Sequence, residues 1–195
     1  MGLDVIHECE LTQQAITPDL KYHEILAAIH PHIAAKLGLG KPSPDQSNAF
    51  GASVGSWPAF PDTVDALKRL RQHFELVVLS NVDHEPFARS NSGPLEGVKF
   101  DLVITAQDVG SYKPDLENFR YMIKEIGEKL GVPKEQILQT AQCQYHDHQP
   151  AKKMGMSSCW IVRPGAIMGN RSPQVYDWKF DTLGGMADAL EDSWK

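Results

Sequence analysis

Residues 137–155 constrain this chain more than any other stretch. They open on an apolar run, Ile137-Leu138-Gln139-Thr140-Ala141, of the kind that forms a buried strand in a parallel sheet. A polar loop follows, holding Gln142, Tyr145, His146, Asp147 and His148. Pro150 then suits the first turn of a helix, with His148 or Gln149 just before it. Strand, polar loop and helix start, in that order, form the edge where an open α/β sheet keeps its ligand chemistry, outside the carboxyl ends of its strands.

The rest of the chain reads as scaffolding for that edge. Residues 3–14 have helical spacing, broken at Thr17-Pro18-Asp19. A stronger amphipathic pattern spans 22–37, with Ile25, Leu26, Ile29, Ile33 and Leu37 three and four apart and Pro31 inside it. A short helix is expected within 45–56, so the first third contains no strand. From Trp57 the grammar changes. Asp62 or Thr63 is expected to cap a helix, followed by strands over 74–79 and 100–105 and a helix from about His84 between them. Asp115 then caps a long helix to Leu130, whose apolar face is Phe119, Met122, Ile123, Ile126 and Leu130. Strands over 158–162 and near Phe180 complete the set, and Asp181 or Thr182 caps a last helix. Strands alternating with helices imply right-handed crossovers and a parallel sheet. At 195 residues the expected organisation is a helical segment over 1–56 and an α/β core over 57–195.

Composition narrows the partners. A net charge of -6 argues against nucleic acid, which calls for a basic face. Cys9, Cys143 and Cys159 lack metal-ligand spacing, so no zinc is expected, and the thiols suit a reducing compartment. No apolar run reaches membrane-spanning length. The plain expectation is a cytoplasmic protein acting on a small molecule, with no nucleic acid and no membrane.

Four segments together resemble the haloacid dehalogenase superfamily, specifically the fungal type II haloacid dehalogenase branch. They are Val77-Val78-Leu79-Ser80-Asn81-Val82-Asp83, Val109-Gly110-Ser111-Tyr112-Lys113-Pro114-Asp115, His146-Asp147-His148-Gln149-Pro150-Ala151-Lys152 and Trp160-Ile161-Val162-Arg163-Pro164-Gly165. The resemblance implies a Rossmann-like three-layer parallel-sheet core with a helical cap. It also implies that Ser80 and Asn81 hydrogen-bond the substrate, that Lys113 holds the nucleophile's charge, and that Asp147 is the acid of the last motif.

The family's first motif is a strand ending in an Asp-x-x-x-Thr stretch, whose Asp is the covalent nucleophile, and nothing in this sequence matches it. Asp4 lies in helical context and cannot substitute. The resemblance therefore implies a core lacking its usual first strand, a shortened cap, no ester intermediate, and, with that carboxylate ligand missing, no essential metal; no cofactor is expected. That strand is central, between the strands before Ser80 and before Gln142. Losing it would unpair about ten backbone groups. At ~1–3 kcal/mol per buried unsatisfied group, the loss exceeds a typical stability of about 5–15 kcal/mol. Either the neighbouring strands close on each other, another segment inserts, a partner chain such as a second copy of a homodimer fills the gap, or the chain does not fold.

Candidate catalytic residues are Asp147, His146, His148 and Lys113, with Asp147 as proton donor if burial raises its pKa. Ser80, Asn81, Asp83, His84, Gln142 and Tyr145 are candidate substrate-binding residues, although Asp83 equally suits a helix cap. Three functions fit. The first is an enzyme without the nucleophile, doing acid–base chemistry such as epoxide opening, cyclisation or rearrangement in fungal alkaloid-type secondary metabolism. The others are a non-catalytic binding protein and a 2-haloacid dehalogenase whose nucleophile comes from elsewhere.

Overall fold

The computed structural model describes residues 2–166 and 173–193. Three helices come first: α1 (Gly2–Ile16), α2 (Tyr22–Lys36) and α3 (Pro44–Ala52), the last running into a 3-10 turn at Ser53–Ser56. Ile25, Leu26, Ile29 and Ile33 bury the predicted stripe of α2 against Cys9 and Val54, with Val82 and Tyr112 packed on the same cluster. Helix α2 is continuous through Pro31. A capping box starts α3: Ser43 Oγ accepts from the Gln46 N–H, and Gln46 Oε1 accepts from the Ser43 N–H. Helices α2 and α3 meet at Gly51, where an added Cβ would lie 2.1 Å from the His23 carbonyl oxygen.

The α/β part then runs α4 (Thr63–Leu70), β1 (Val77–Ser80), α5 (His84–Ser92), β2 (Leu102–Thr105), α6 (Ala106–Val109), α7 (Leu116–Leu130), β3 (Leu138–Ala141), α8 (Gln149–Lys153), β4 (Ser157–Ile161), β5 (Trp178–Phe180) and α9 (Leu183–Asp192). All strand pairs are parallel, as expected. One side is covered by α4 and α9, through Ala66, Leu70, Met186 and Ala187 on Leu76, Leu138, Cys159 and Ile161. The other is covered by α7 and α8, through Phe119, Met122, Ile126 and Ala151 on Val77, Leu79, Ile104 and Ile137. Helices on both faces of parallel strands make the three-layer α/β class.

Local chemistry accounts for the departures from the predicted boundaries. The first strand begins at Val77, not residue 74, because turns off α4 continue through Phe74, whose N–H bonds the Leu70 carbonyl. Asp115 and Thr182 cap α7 and α9 as expected. Asp62 does not cap α4; its carboxylate accepts from the Arg163 guanidinium and the Gly184 N–H, tying α4 to α9.

The strands form two sheets among the described residues, β1-β2 and β3-β4-β5, and β1 does not pair with β3. A cavity of about 620 Å³ lies between β1 and β3, lined by all four residues of each of these two strands together with Lys113 and Asp147. The neighbours of the expected central strand have not closed on each other.

Candidate active site

The carboxyl ends of β1 and β3 are bridged by one buried ion pair. Lys113 Nζ donates to Asp147 Oδ1 at 2.7 Å and to the Leu79 carbonyl of β1 at 2.7 Å. Asp147 Oδ1 also accepts from Gln139 Nε2 of β3 at 3.2 Å. Lys113 is 8% exposed and Asp147 6%, so each charge depends on the other. Asn81 fixes the lysine from behind: its Oδ1 accepts from the Lys113 N–H at 2.8 Å and its Nδ2 donates to the Lys113 carbonyl at 3.1 Å. Asp147 Oδ1 thus accepts from both Lys113 and Gln139.

The polar loop after β3 folds as a single π-helical turn, Gln144–His148, an element concentrated at functional sites. His148 is fully buried; its Nε2 donates to the Ala141 carbonyl at 2.9 Å, which leaves Nδ1 buried without a partner among the described residues. The His146 Nδ1 lies 3.4 Å from Cys143 Sγ, and its Nε2 is also buried without a partner. Burial lowers both imidazole pKa values, that of His146 to about 4, so both rings are neutral at neutral pH. Burial raises the Cys143 thiol, which disfavours a thiolate nucleophile. The Tyr145 ring packs edge-on to His146, and His7 of α1 packs edge-on to both.

Ser80 lies where two cavities adjoin. It lines the 620 Å³ space and also a pocket of about 380 Å³ shared with Asn81, Val82, Tyr22, Val54, Trp57 and Phe87. That pocket lies between the helical segment and the carboxyl end of β1, where α/β folds bind ligands.

Two expected substrate residues face elsewhere. Asp83 neither caps α5 nor lines either cavity described above; its carboxylate accepts from the Tyr22 and His23 N–H groups and His23 Nδ1, so it caps α2 from across the structure. Two unbonded N–H groups and the positive end of a helix dipole draw it there. Asp83→Ala is expected to cost about 0.5–2 kcal/mol and to speed proteolysis at residues 17–21; an unchanged melting temperature and cleavage rate would contradict this role. His84 is half exposed, and its Nε2 pairs with Asp108 Oδ1 at 2.7 Å. Gln142 accepts from Trp160 Nε1 through its backbone carbonyl. Sequence reasoning missed Gln139, although a polar residue inside a buried strand was a visible signal. It also missed His7, which carried none.

No protein-family model matches the chain. Two curated relatives, the (S)-2-haloacid dehalogenases of Pseudomonas putida and Pseudomonas fluorescens, are each 30% identical over 105 residues, 53% of this chain and 44% of theirs. The match thus spans less than half the length of those relatives. The solved L-2-haloacid dehalogenase of Xanthobacter autotrophicus superposes with a TM-score of 0.78 at 17% identity, covering 96% of this chain and 84% of that one. The chain has the haloacid dehalogenase-like fold, and over those 105 residues it is similar to the two curated dehalogenases.

Proposed function

We propose that this haloacid dehalogenase-like chain works by proton transfer on a small molecule bound beside Ser80, without covalent attack by its own residues. The observation that carries this reading is the state of the carboxylates that follow the strands. Asp83 is bound to α2, Asp108 to Thr105 and His84, and Asp147 to Lys113 and Gln139. Each is held by donors, and no strand precedes β1 among the described residues. What the site offers is an ammonium, Lys113, next to neutral imidazoles.

Those groups suit acid-assisted epoxide opening with ring closure. An internal hydroxyl oxygen attacks an epoxide carbon as that C–O bond breaks. The released oxygen takes a proton from the Lys113 ammonium, and neutral His146 accepts the hydroxyl proton. The apolar Tyr22, Val54, Trp57 and Phe87 walls suit a ring-bearing substrate, and the resemblance to fungal-type sequences favours secondary metabolism of the alkaloid type. A phenol carrying an ortho-epoxypropyl chain is a direct probe. The wild-type chain should accelerate its closure, and His146→Gln should lower kcat by about 10²-fold with KM unchanged. Closure no faster than in buffer would sink the reading.

A second reading is favoured by the curated relatives and by Ser80, Asn81, Lys113 and Asp147 together. Here the chain is part of a 2-haloacid dehalogenase whose nucleophile lies outside the described residues.

A further inference from the structure

We infer that the indole of Trp57 is a stacking platform, so that the pocket beside Ser80 selects a flat aromatic ring carrying an oxygen substituent. This deepens the reading proposed above: it rests on the placing of the ligand beside Ser80 and names the residue that chooses the ring. Trp57 lines the 380 Å³ pocket and is 48% exposed. An exposed ring alone signals little; what sets Trp57 apart is how firmly it is held. Pro58 confines the preceding backbone to extended values, and Trp57 sits at φ -64°, ψ 132°. Its Nε1 donates to Ser53 Oγ at 3.1 Å, and Ser53 Oγ donates in turn to the Phe50 carbonyl at 2.7 Å.

The turn beneath the ring is fixed as well. Arg89 Nη2 of α5 donates to the Ala52 carbonyl at 2.7 Å, and Ser90 Oγ donates to the Gly55 carbonyl at 3.4 Å. At Gly55 the two segments approach so closely that an added Cβ would lie 2.9 Å from the Pro86 carbonyl oxygen. Backbone, indole and supporting turn are therefore set before a ligand arrives, which removes the ordering cost that a loose side chain imposes on binding. With its N–H given to Ser53, the indole offers a ligand only its π faces, which favour another ring in an offset stack. The pocket wall adds the rings of Tyr22 and Phe87. Both amide atoms of Asn81 are committed to the Lys113 backbone. Ser80 Oγ accepts from the Val82 N–H at 3.4 Å, so its own proton is left for an oxygen on the ring.

The test is equilibrium dialysis of the full chain against 2-naphthol and against decahydro-2-naphthol, which keeps the hydroxyl and the carbon skeleton but has no flat π face. The wild-type chain should bind 2-naphthol about fivefold tighter than its saturated analogue. Trp57→Leu, which keeps an apolar side chain, should lose about that factor for 2-naphthol and little for the analogue. Trp178, similarly exposed at 53% but lining neither cavity, supplies the control, and Trp178→Leu should change neither affinity. Should Trp57→Leu not fold, Ser53→Ala replaces it: freeing the indole should weaken 2-naphthol about twofold and leave the analogue unchanged. Equal binding of the two alcohols, equal loss of both in the variant, an unchanged naphthol affinity, or no saturable naphthol binding would each overturn the proposal. Neither alcohol carries an epoxide, so the two ideas fail separately. Trp57-dependent binding without ring closure would remove only the chemistry, and closure with an unchanged KM in Trp57→Leu would remove only the platform.

Discussion

Lys113→Met is expected to destabilise the fold by about 3–5 kcal/mol, because it strands the Asp147 carboxylate in the interior without its cation. The two side chains meet at 2.7 Å and both are nearly fully buried. The lysine also satisfies the Leu79 carbonyl, so its loss leaves an acceptor of β1 unbonded. Urea denaturation monitored by circular dichroism checks the value. The double variant Lys113→Met/Asp147→Asn should lose less than Lys113→Met alone, because an amide in place of the carboxylate leaves no bare charge behind. If the double variant loses the sum of the two single losses, the pair is not coupled and the account of this bridge is wrong.

The second large effect is on pH dependence. Burial holds the His146 pKa at about 4 against an ordinary 6.5, and lowers His148 in the same direction. The unfolded chain therefore binds a proton between pH 6.5 and 4 that the folded chain refuses, and stability falls as pH falls through that window. The difference is worth roughly 3 kcal/mol for His146 alone, with nothing further lost below pH 4 from this group. Asp62, Asp101 and Asp108 have pKa values held below the ordinary carboxylate value, and their contributions are lost at lower pH, beneath the histidine window. Glu10 works in the opposite sense, since burial raises its pKa. The measurement is thus the difference in unfolding free energy between wild type and His146→Gln from pH 7 to 4.5. The variant should show the shallower slope; parallel slopes would mean that His146 titrates normally in the fold.

Much of the fold was legible because periodicity and caps are local. The stripe Ile25, Leu26, Ile29 and Ile33, the Phe119, Met122 and Ile126 face, and the caps Asp115 and Thr182 all stand where spacing put them. The parallel sheet class followed from alternation of elements. What could not be read was which long-range partner claims a polar side chain. Asp83 and Asp62 both look like caps of the helices they precede, yet each serves groups more than fifty residues away in sequence. The same limit applies to the site. Lys113, Asp147 and Ser80 were found from motifs, but Gln139 reaches Asp147 from inside a strand and His7 reaches His146 from α1. Likewise, the loop after β3 was read as polar, but its π turn, which buries His148 and gives its Nε2 proton to Ala141, depends on tertiary packing.

The central claim, that the described residues contain no free carboxylate able to attack a bound substrate, is tested most directly with 2-chloropropionate. The purified chain alone is incubated with it, chloride release is followed, and the intact protein mass is measured. The account predicts no chloride above the buffer rate and no added mass. Chloride release together with an ester on Asp147, Asp83 or Asp108 would contradict it.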